Sequence, residues 1–217
     1  MTTKEPSLRP TRLIYVMDPM CSWCWGFAPV VQALTEQAAA AGVPLHLVAG
    51  GLRSERAALE PAARVRILGH WQAVNAATGQ LFNFAEALPE GFVYDTTPAC
   101  RALVTARQLD EQSVWPLAQL IQQAFYVGAR DVTRPPVLAE LAELAGIPRI
   151  EFAEAFDSAA MHEATAAEFA WVQDLGISGF PTLLAERDGQ LALLTNGYQP
   201  LEALQPLLGR WLERVHA

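Results

Sequence analysis

Two cysteines one helical turn apart, Cys21-Ser22-Trp23-Cys24, stand between a short apolar run and a long helical pattern. Leu13-Ile14-Tyr15-Val16-Met17 is five consecutive apolar residues, β-branched and aromatic types among them, which marks a buried strand. From Trp25 through Ala41 the chain is rich in Ala, Leu and Gln, with Pro29 placed for a first turn and Gly42 as a stop. The cysteines therefore fall at a strand-to-helix junction, where free backbone N–H groups and the helix dipole favour a thiolate. Cys21 comes first, so its sulfur is expected over the free N–H groups and open to solvent, with Cys24 turned inward. Two thiols on one turn can also close a disulfide on each other. The pair reads as a redox device.

Pro44-Leu45-His46-Leu47-Val48-Ala49 reads as a second strand, ended by Gly50-Gly51. Strand, helix, strand with a crossover helix of about 15–18 residues is a βαβ unit and implies parallel pairing. No convincing strand follows between Arg53 and Leu175. Helical patterns instead cover 61–77, 98–108, 114–126, 135–145 and 159–175, bounded by Thr97-Pro98, Thr133 with Pro135-Pro136, Gly146 and Gly176. The Phe-rich stretch 80–95 is the least regular and reads as a loop lining something. After Gly176 two short apolar runs flank Arg187-Asp188-Gly189-Gln190, a hairpin signal. A last helix is expected over about 200–215, kinked or interrupted at Pro206. Neither end carries enough strands for a sheet alone. The expectation is an α/β fold with all four strands in one sheet, residues 12–52 and 176–215 forming a discontinuous domain and 53–175 a helical insertion.

Charge and length narrow the function classes. A net charge of −8 over 217 residues, without a basic patch, argues against nucleic-acid binding. No apolar stretch approaches the roughly 18 residues of a membrane span. The first twelve residues are polar, with Lys4, Arg9 and Arg12, and lack a secretory apolar core, so a cytoplasmic location is expected. In a reducing compartment a lone cysteine pair is catalytic or metal-binding rather than structural. A structural metal site needs two further close ligands. Cys100, His46, His70, His162 and His216 are scattered singly, so no metal is expected.

The order of features, ending in Gly179-Phe180-Pro181-Thr182 before the hairpin, resembles the DsbA-like branch of the thioredoxin superfamily, and most of all its FrnE-like, predicted protein-disulfide isomerase members. The likeness runs from about Leu13 to Leu212. It is carried by Asp18-Pro19-Met20-Cys21-Ser22-Trp23-Cys24-Trp25-Gly26-Phe27 and by Gly179-Phe180-Pro181-Thr182, with softer echoes in Gly69-His70-Trp71, in 94–101 from Tyr94 to Arg101, and in Ala124-Phe125-Tyr126. It implies a thioredoxin-like fold with a large helical insertion, Cys21 as nucleophile and Cys24 as resolving thiol. It also implies a cis Phe180–Pro181 bond, in a loop that pairs with the backbone of a substrate strand or of glutathione through Phe180, Pro181 and Thr182. The family's strong oxidant has Pro-His between its cysteines. Ser22-Trp23 carries no cation, which points to a reductase or isomerase.

The remaining site residues carry two readings each. Asp18 is an Asx turn ahead of Pro19, or a carboxylate that raises a thiol pKa or takes the resolving thiol's proton. Trp23 is expected as an exposed contact for apolar substrate, and Trp25 and Phe27 as core. Cys100 sits on the first turn of its own helix but is expected packed and inert, and His70 as an ordinary helix histidine. The expected activity is thiol–disulfide exchange through a mixed disulfide. No bound cofactor is needed, only a disulfide- or thiol-containing protein, peptide or glutathione as partner, or a thioredoxin-type reductant. Two alternatives stand beside it. One is a glutathione-dependent transferase or isomerase resembling the kappa class, whose activating group is a serine. The other is a peptide-binding chaperone module.

Overall fold

The computed structural model describes residues 10–215. Residues 1–9, where a leader was sought, and His216 lie outside the described residues. Among the described residues four strands form one sheet in the order β2-β1-β3-β4: β1 Arg12–Met17, β2 Leu45–Ala49, β3 Thr182–Arg187 and β4 Gln190–Asn196. β1 pairs parallel with β2, Val16 opposite Val48, and antiparallel with β3, Tyr15 opposite Leu183. A central strand is buried on both faces, which explains the unbroken apolar run in β1. Its alternate side chains serve two layers. Leu13, Tyr15 and Met17 join the main core with α1 (Ser22–Ala40) and α8 (Leu201–Val215). Ile14 and Val16 pack with Val48, Leu184 and Val172 of α7 (Ala159–Asp174) on the other face.

Between β2 and β3 come α2 (Pro61–Thr78), α3 (Thr97–Leu109), α4 (Val114–Tyr126), α5 (Pro135–Leu144), α6 (Arg149–Phe156) and α7. The expected helices are all present. α6 was not foreseen: two turns between Pro148 and Ser158 are too short for a periodic pattern, though Phe152 and Phe156 bury one face of it. The hairpin turn has Asp188 at φ 54° and Gly189 at φ 76°, the left-handed pair of a type I′ turn. Among the described residues no helix is long and apolar enough to cross a membrane.

Two prolines behave differently from expectation. α1 starts at Ser22, so Pro29 lies inside the helix rather than in its first turn. A proline there frees the carbonyl four residues back, and that carbonyl, of Trp25, accepts from Gln80 Nε2 at 2.9 Å. α8 runs through Pro206 without interruption, with Glu202 and Pro206 both on its exposed side.

The loop over 80–95 is the aromatic floor of the helical block. Trp71 of α2 is 1% exposed and meets Phe82, Phe125 and Tyr126 at ring separations of 5.4, 5.5 and 4.9 Å. Trp71 therefore joins α2, α4 and the loop. Trp71→Ala should lower unfolding free energy by about 3–5 kcal/mol, as large aromatic truncations in cores do. Urea titration checks this, and a loss below about 1 kcal/mol would show that the junction is not where the block is held.

Candidate active site

At the end of β1 the chain turns sharply before α1. Asp18 Oδ1 accepts the Met20 N–H at 2.8 Å, and the Cys21 N–H donates to the Asp18 carbonyl at 3.0 Å. The Asx turn expected of Asp18 is thus present. Cys21 is the N-cap of α1, in extended backbone, and its carbonyl accepts the Trp25 N–H that opens the helix. Cys24 follows inside the first turn. All three cysteines are free thiols, so this is the dithiol form of the pair. Burial pushes the Cys24 thiol well up, and its bond with the Cys21 thiol adds to the rise.

Cys21 is less open than its place in the chain suggests. It is 6% exposed, against 0% for Cys24 and Cys100, because its Sγ–H donates to the Phe180 carbonyl at 3.6 Å. The Phe180–Pro181 peptide is cis. Gly197 N–H donates to the Pro181 carbonyl at 2.7 Å, which ties the loop to the end of β4. Thr182, expected at the binding surface, is 1% exposed: its hydroxyl donates to the Gly179 carbonyl at 2.8 Å, with Asn196 Oδ1 at 3.1 Å. It holds the loop and offers substrate no side chain. The far end of the Phe180 ring rests against Gly50, where a Cβ would come within 2.2 Å of its Cζ.

Trp23 is half-buried, with its ring 5.7 Å from that of Tyr198, so only part of it faces outward. Ser22 is half-buried beside it. Phe27 is core, but Trp25 is half-buried rather than core. It stacks on Tyr126 at 11°, donates its indole N–H to the Leu81 carbonyl at 3.0 Å, and lines a groove of about 590 Å³ between α1 and α4. The loop over 80–95 thus lines the flank of the cysteine helix.

Beneath the pair lies a buried polar cluster built on Asp18 and Cys100, whose other members the sequence signalled only through its softer echoes. Asp18 is 0% exposed, and its Oδ2 accepts from Leu52 N–H at 2.7 Å, Thr96 Oγ1 at 2.6 Å and Cys100 Sγ at 3.3 Å. Burial raises its pKa; the bonds from Thr96, Leu52, Met20 and Cys100 oppose the rise. Cys100 is packed, as expected, but its thiol is bonded to the carboxylate rather than idle, and burial, then the Asp18 charge, push it up. Tyr94 donates to the Met20 carbonyl at 2.6 Å, and the Tyr15 hydroxyl sits by Cys24 without a partner of hydrogen-bonding geometry. Thr96, Tyr94, Tyr15 and Tyr126 were not singled out from the sequence as site residues. Thr96 and Tyr94 lie in the 94–101 stretch that echoed the family pattern, and Tyr126 in another.

The histidines lie apart, His46 beside Glu111 at 3.5 Å and His162 beside Arg101 at 3.1 Å. Among the described residues no three His, Cys, Asp or Glu side chains gather to hold a metal.

Comparison with known proteins follows the geometry. Residues 12–209 match the sequence profile of the DSBA-like thioredoxin domain. A structure from Nitrosomonas europaea, provisionally assigned as a protein disulfide isomerase, is 43% identical, covers 95% of this chain and 99% of its own, and superposes with a TM-score of 0.88. The cytosolic disulfide reductase DsbM from Pseudomonas aeruginosa is 28% identical over 94% of this chain and 99% of its own, with a TM-score of 0.77, and has also been solved with GSH. The ClpXP adapter protein SpxH from Halalkalibacterium halodurans is 21% identical, over 97% of this chain and 72% of its own length.

The contact between Gly50 and Phe180 sets how the loop sits over Cys21. Gly50→Ala should cost about 1–3 kcal/mol, since the ring has to leave its seat. Phe180→Leu in the same chain should recover much of that loss. Urea titration of the two single variants and the double reads the coupling; strictly additive losses would show that the ring does not rest on Gly50.

Proposed function

The chain belongs to the DsbA-like thioredoxin-domain family, and on that footing we propose that it exchanges thiols and disulfides through Cys21 and Cys24, working as a reductase or isomerase. The observation that carries the reading is the placement of Cys21. It caps a helix whose first turn holds a second thiol, and its sulfur faces the carbonyl of Phe180 in the loop that closes the site.

The Cys21 thiolate attacks one sulfur of a substrate disulfide. A Cys21–substrate S–S bond forms, the substrate's own S–S bond breaks, and its electron pair leaves on the released sulfur, which takes up a proton. Cys24 then attacks the Cys21 sulfur. The intramolecular disulfide forms, the mixed disulfide breaks, and the second substrate sulfur leaves with the electron pair. Two electrons have passed from the protein dithiol to the substrate. Cys24 is raised by burial, so its attack needs a base close by, and Asp18 takes its proton. An incoming chain displaces the Cys21 thiol from the Phe180 carbonyl and pairs with the loop backbone as an added strand. Trp23 offers a partly exposed aromatic face to apolar substrate.

A glutathione-bound structure of DsbM supports glutathione as the partner that restores the dithiol, and its cytosolic setting supports work in a reducing compartment. The absence of a cation between the cysteines supports a reducing poise. The second thiol, Cys24, favours exchange over a transferase that needs only one activating group.

Cys24→Ser should hold substrates as long-lived mixed disulfides, visible as adducts by mass spectrometry, because no thiol is left to resolve them. Cys21→Ser should trap nothing and lose disulfide-exchange activity by orders of magnitude while still binding peptide. Full activity in Cys21→Ser would refute the reading, and peptide binding as the sole surviving property of the wild-type protein would favour a chaperone.

A further inference from the structure

Thr96 stands at the N-cap of α3, where a threonine hydroxyl ordinarily accepts a backbone N–H of the first turn. Here it makes no such bond, and Asp95 Oδ1 accepts the Thr97 N–H instead, at 2.9 Å. The Thr96 hydroxyl, 0% exposed, is turned inward toward Asp18 Oδ2 at 2.6 Å, the Arg53 carbonyl at 3.2 Å and the Arg53 N–H at 3.2 Å, with the Cys100 thiol also beside it.

A hydroxyl has one donor and two acceptor sites, and every one of these neighbours can be satisfied in two ways. When Asp18 is ionised, Thr96 donates to Oδ2 and accepts from Arg53 N–H. When Asp18 is protonated on Oδ2, its O–H donates to Thr96, Thr96 turns its own proton to the Arg53 carbonyl, and the bond from Arg53 N–H is kept. Among the described residues no other group bonded to Asp18 can do this: Met20 N–H and Leu52 N–H only donate, and the Cys100 thiol is a weak acceptor.

We propose that Thr96 is a positioning residue for the thiol chemistry, its hydroxyl turning between Asp18 and the Arg53 carbonyl so that the buried carboxyl is hydrogen-bonded with and without a proton. This rests on the exchange reading above. As Cys24 gives up its proton and attacks Cys21, the proton passes to Asp18 and stays there, and Thr96 rotates so that its oxygen accepts the hydrogen bond of the new Asp18 O–H. The departing substrate thiolate takes its proton from solvent, and Asp18 returns its own to Cys24 when the pair is next reduced.

The ionisable groups facing this pocket are Cys24 of α1, Cys100 of α3, Tyr94 of the aromatic loop and Tyr126 of α4. Each is raised by burial first and in part by the Asp18 charge. Arg53 lies over the Tyr94 ring at 5.1 Å. Among the described residues, only Thr96 of the side chains bonded to Asp18 carries a hydroxyl. Losing the hydroxyl takes a donor from the ionised carboxyl and an acceptor from the protonated one; the bond to the charged form is about twice as strong, so the midpoint moves up.

The test uses the full chain with carbon-13 at the Asp carboxyl carbons, the Asp18 signal being assigned by its loss in Asp18→Asn. Thr96→Val should raise the Asp18 midpoint by about one pH unit, a tenfold change, and Thr96→Ser should leave it at the wild-type value. A second readout follows a Cys21 mixed disulfide with 2-nitro-5-thiobenzoate, whose release reports resolution by Cys24. The pH at which release accelerates should move up with the Asp18 midpoint in Thr96→Val and return in Thr96→Ser. Thr96→Ala, smaller and equally without a hydroxyl, repeats both measurements if valine unfolds the protein. An unmoved midpoint in the hydroxyl-free variants, or a serine variant displaced as far as the valine one, overturns the proposal while leaving disulfide exchange intact. A wild-type protein that never forms or resolves the mixed disulfide removes the exchange reading itself, and the proposal with it.

Discussion

The burial of the Asp18 carboxylate constrains the whole site. A charge taken out of water is costly unless it is fully bonded, and the donors it needs come from distant parts of the chain. Met20 is local, but Leu52 follows β2, Thr96 caps α3 and Cys100 lies in its first turn. Hydrogen bonds to a charged group are worth about 1.5–3 kcal/mol each. Satisfying Asp18 therefore fixes the start of α3 against the end of the sheet. The helical block is tied to the cysteine turn at its most sensitive point, and the aromatic loop follows, with Tyr94 closing on the Met20 carbonyl.

What could be read from the sequence was local. The cysteine pair at the start of α1, each apolar run that forms β1 and β2, and the Asp188–Gly189 hairpin turn are each written in residues within a few positions of one another, and each is found as expected. Where the sequence misled, a distant partner decided. Cys21 is shielded by a carbonyl 159 positions away, and Asp18 finds its hydroxyl donor 78 positions away. α1 begins earlier than Pro29 suggests because Gln80 takes the carbonyl that the proline frees. Thr182 turned inward because its hydroxyl had acceptors in the Gly179 carbonyl of the loop and in Asn196 at the end of β4, a choice invisible without the fold.

The fold alone does not carry the chemistry. The same scaffold appears, at 28% identity, in a disulfide reductase, and a chain 21% identical to this one is a ClpXP adapter protein. What argues for exchange here is the pair of thiols on one turn under the Phe180 loop, with an ionisable carboxylate packed beneath. What argues for reduction rather than oxidation is the residue pair between the cysteines. Ser22-Trp23 brings no positive charge to stabilise a thiolate, whereas a powerful oxidant owes its potential to a stabilised reduced form.

The central claim is that Cys21 and Cys24 interconvert as one two-electron couple. Equilibrating the protein with graded glutathione buffers and counting free thiols by alkylation and mass spectrometry tests it directly. The account predicts that two thiols disappear together, mapped to Cys21 and Cys24, at a potential below the about −120 mV of the strongest periplasmic oxidants, while Cys100 stays free. Three thiols that persist across the whole range, a disulfide that includes Cys100, or a potential at or above that level would contradict it.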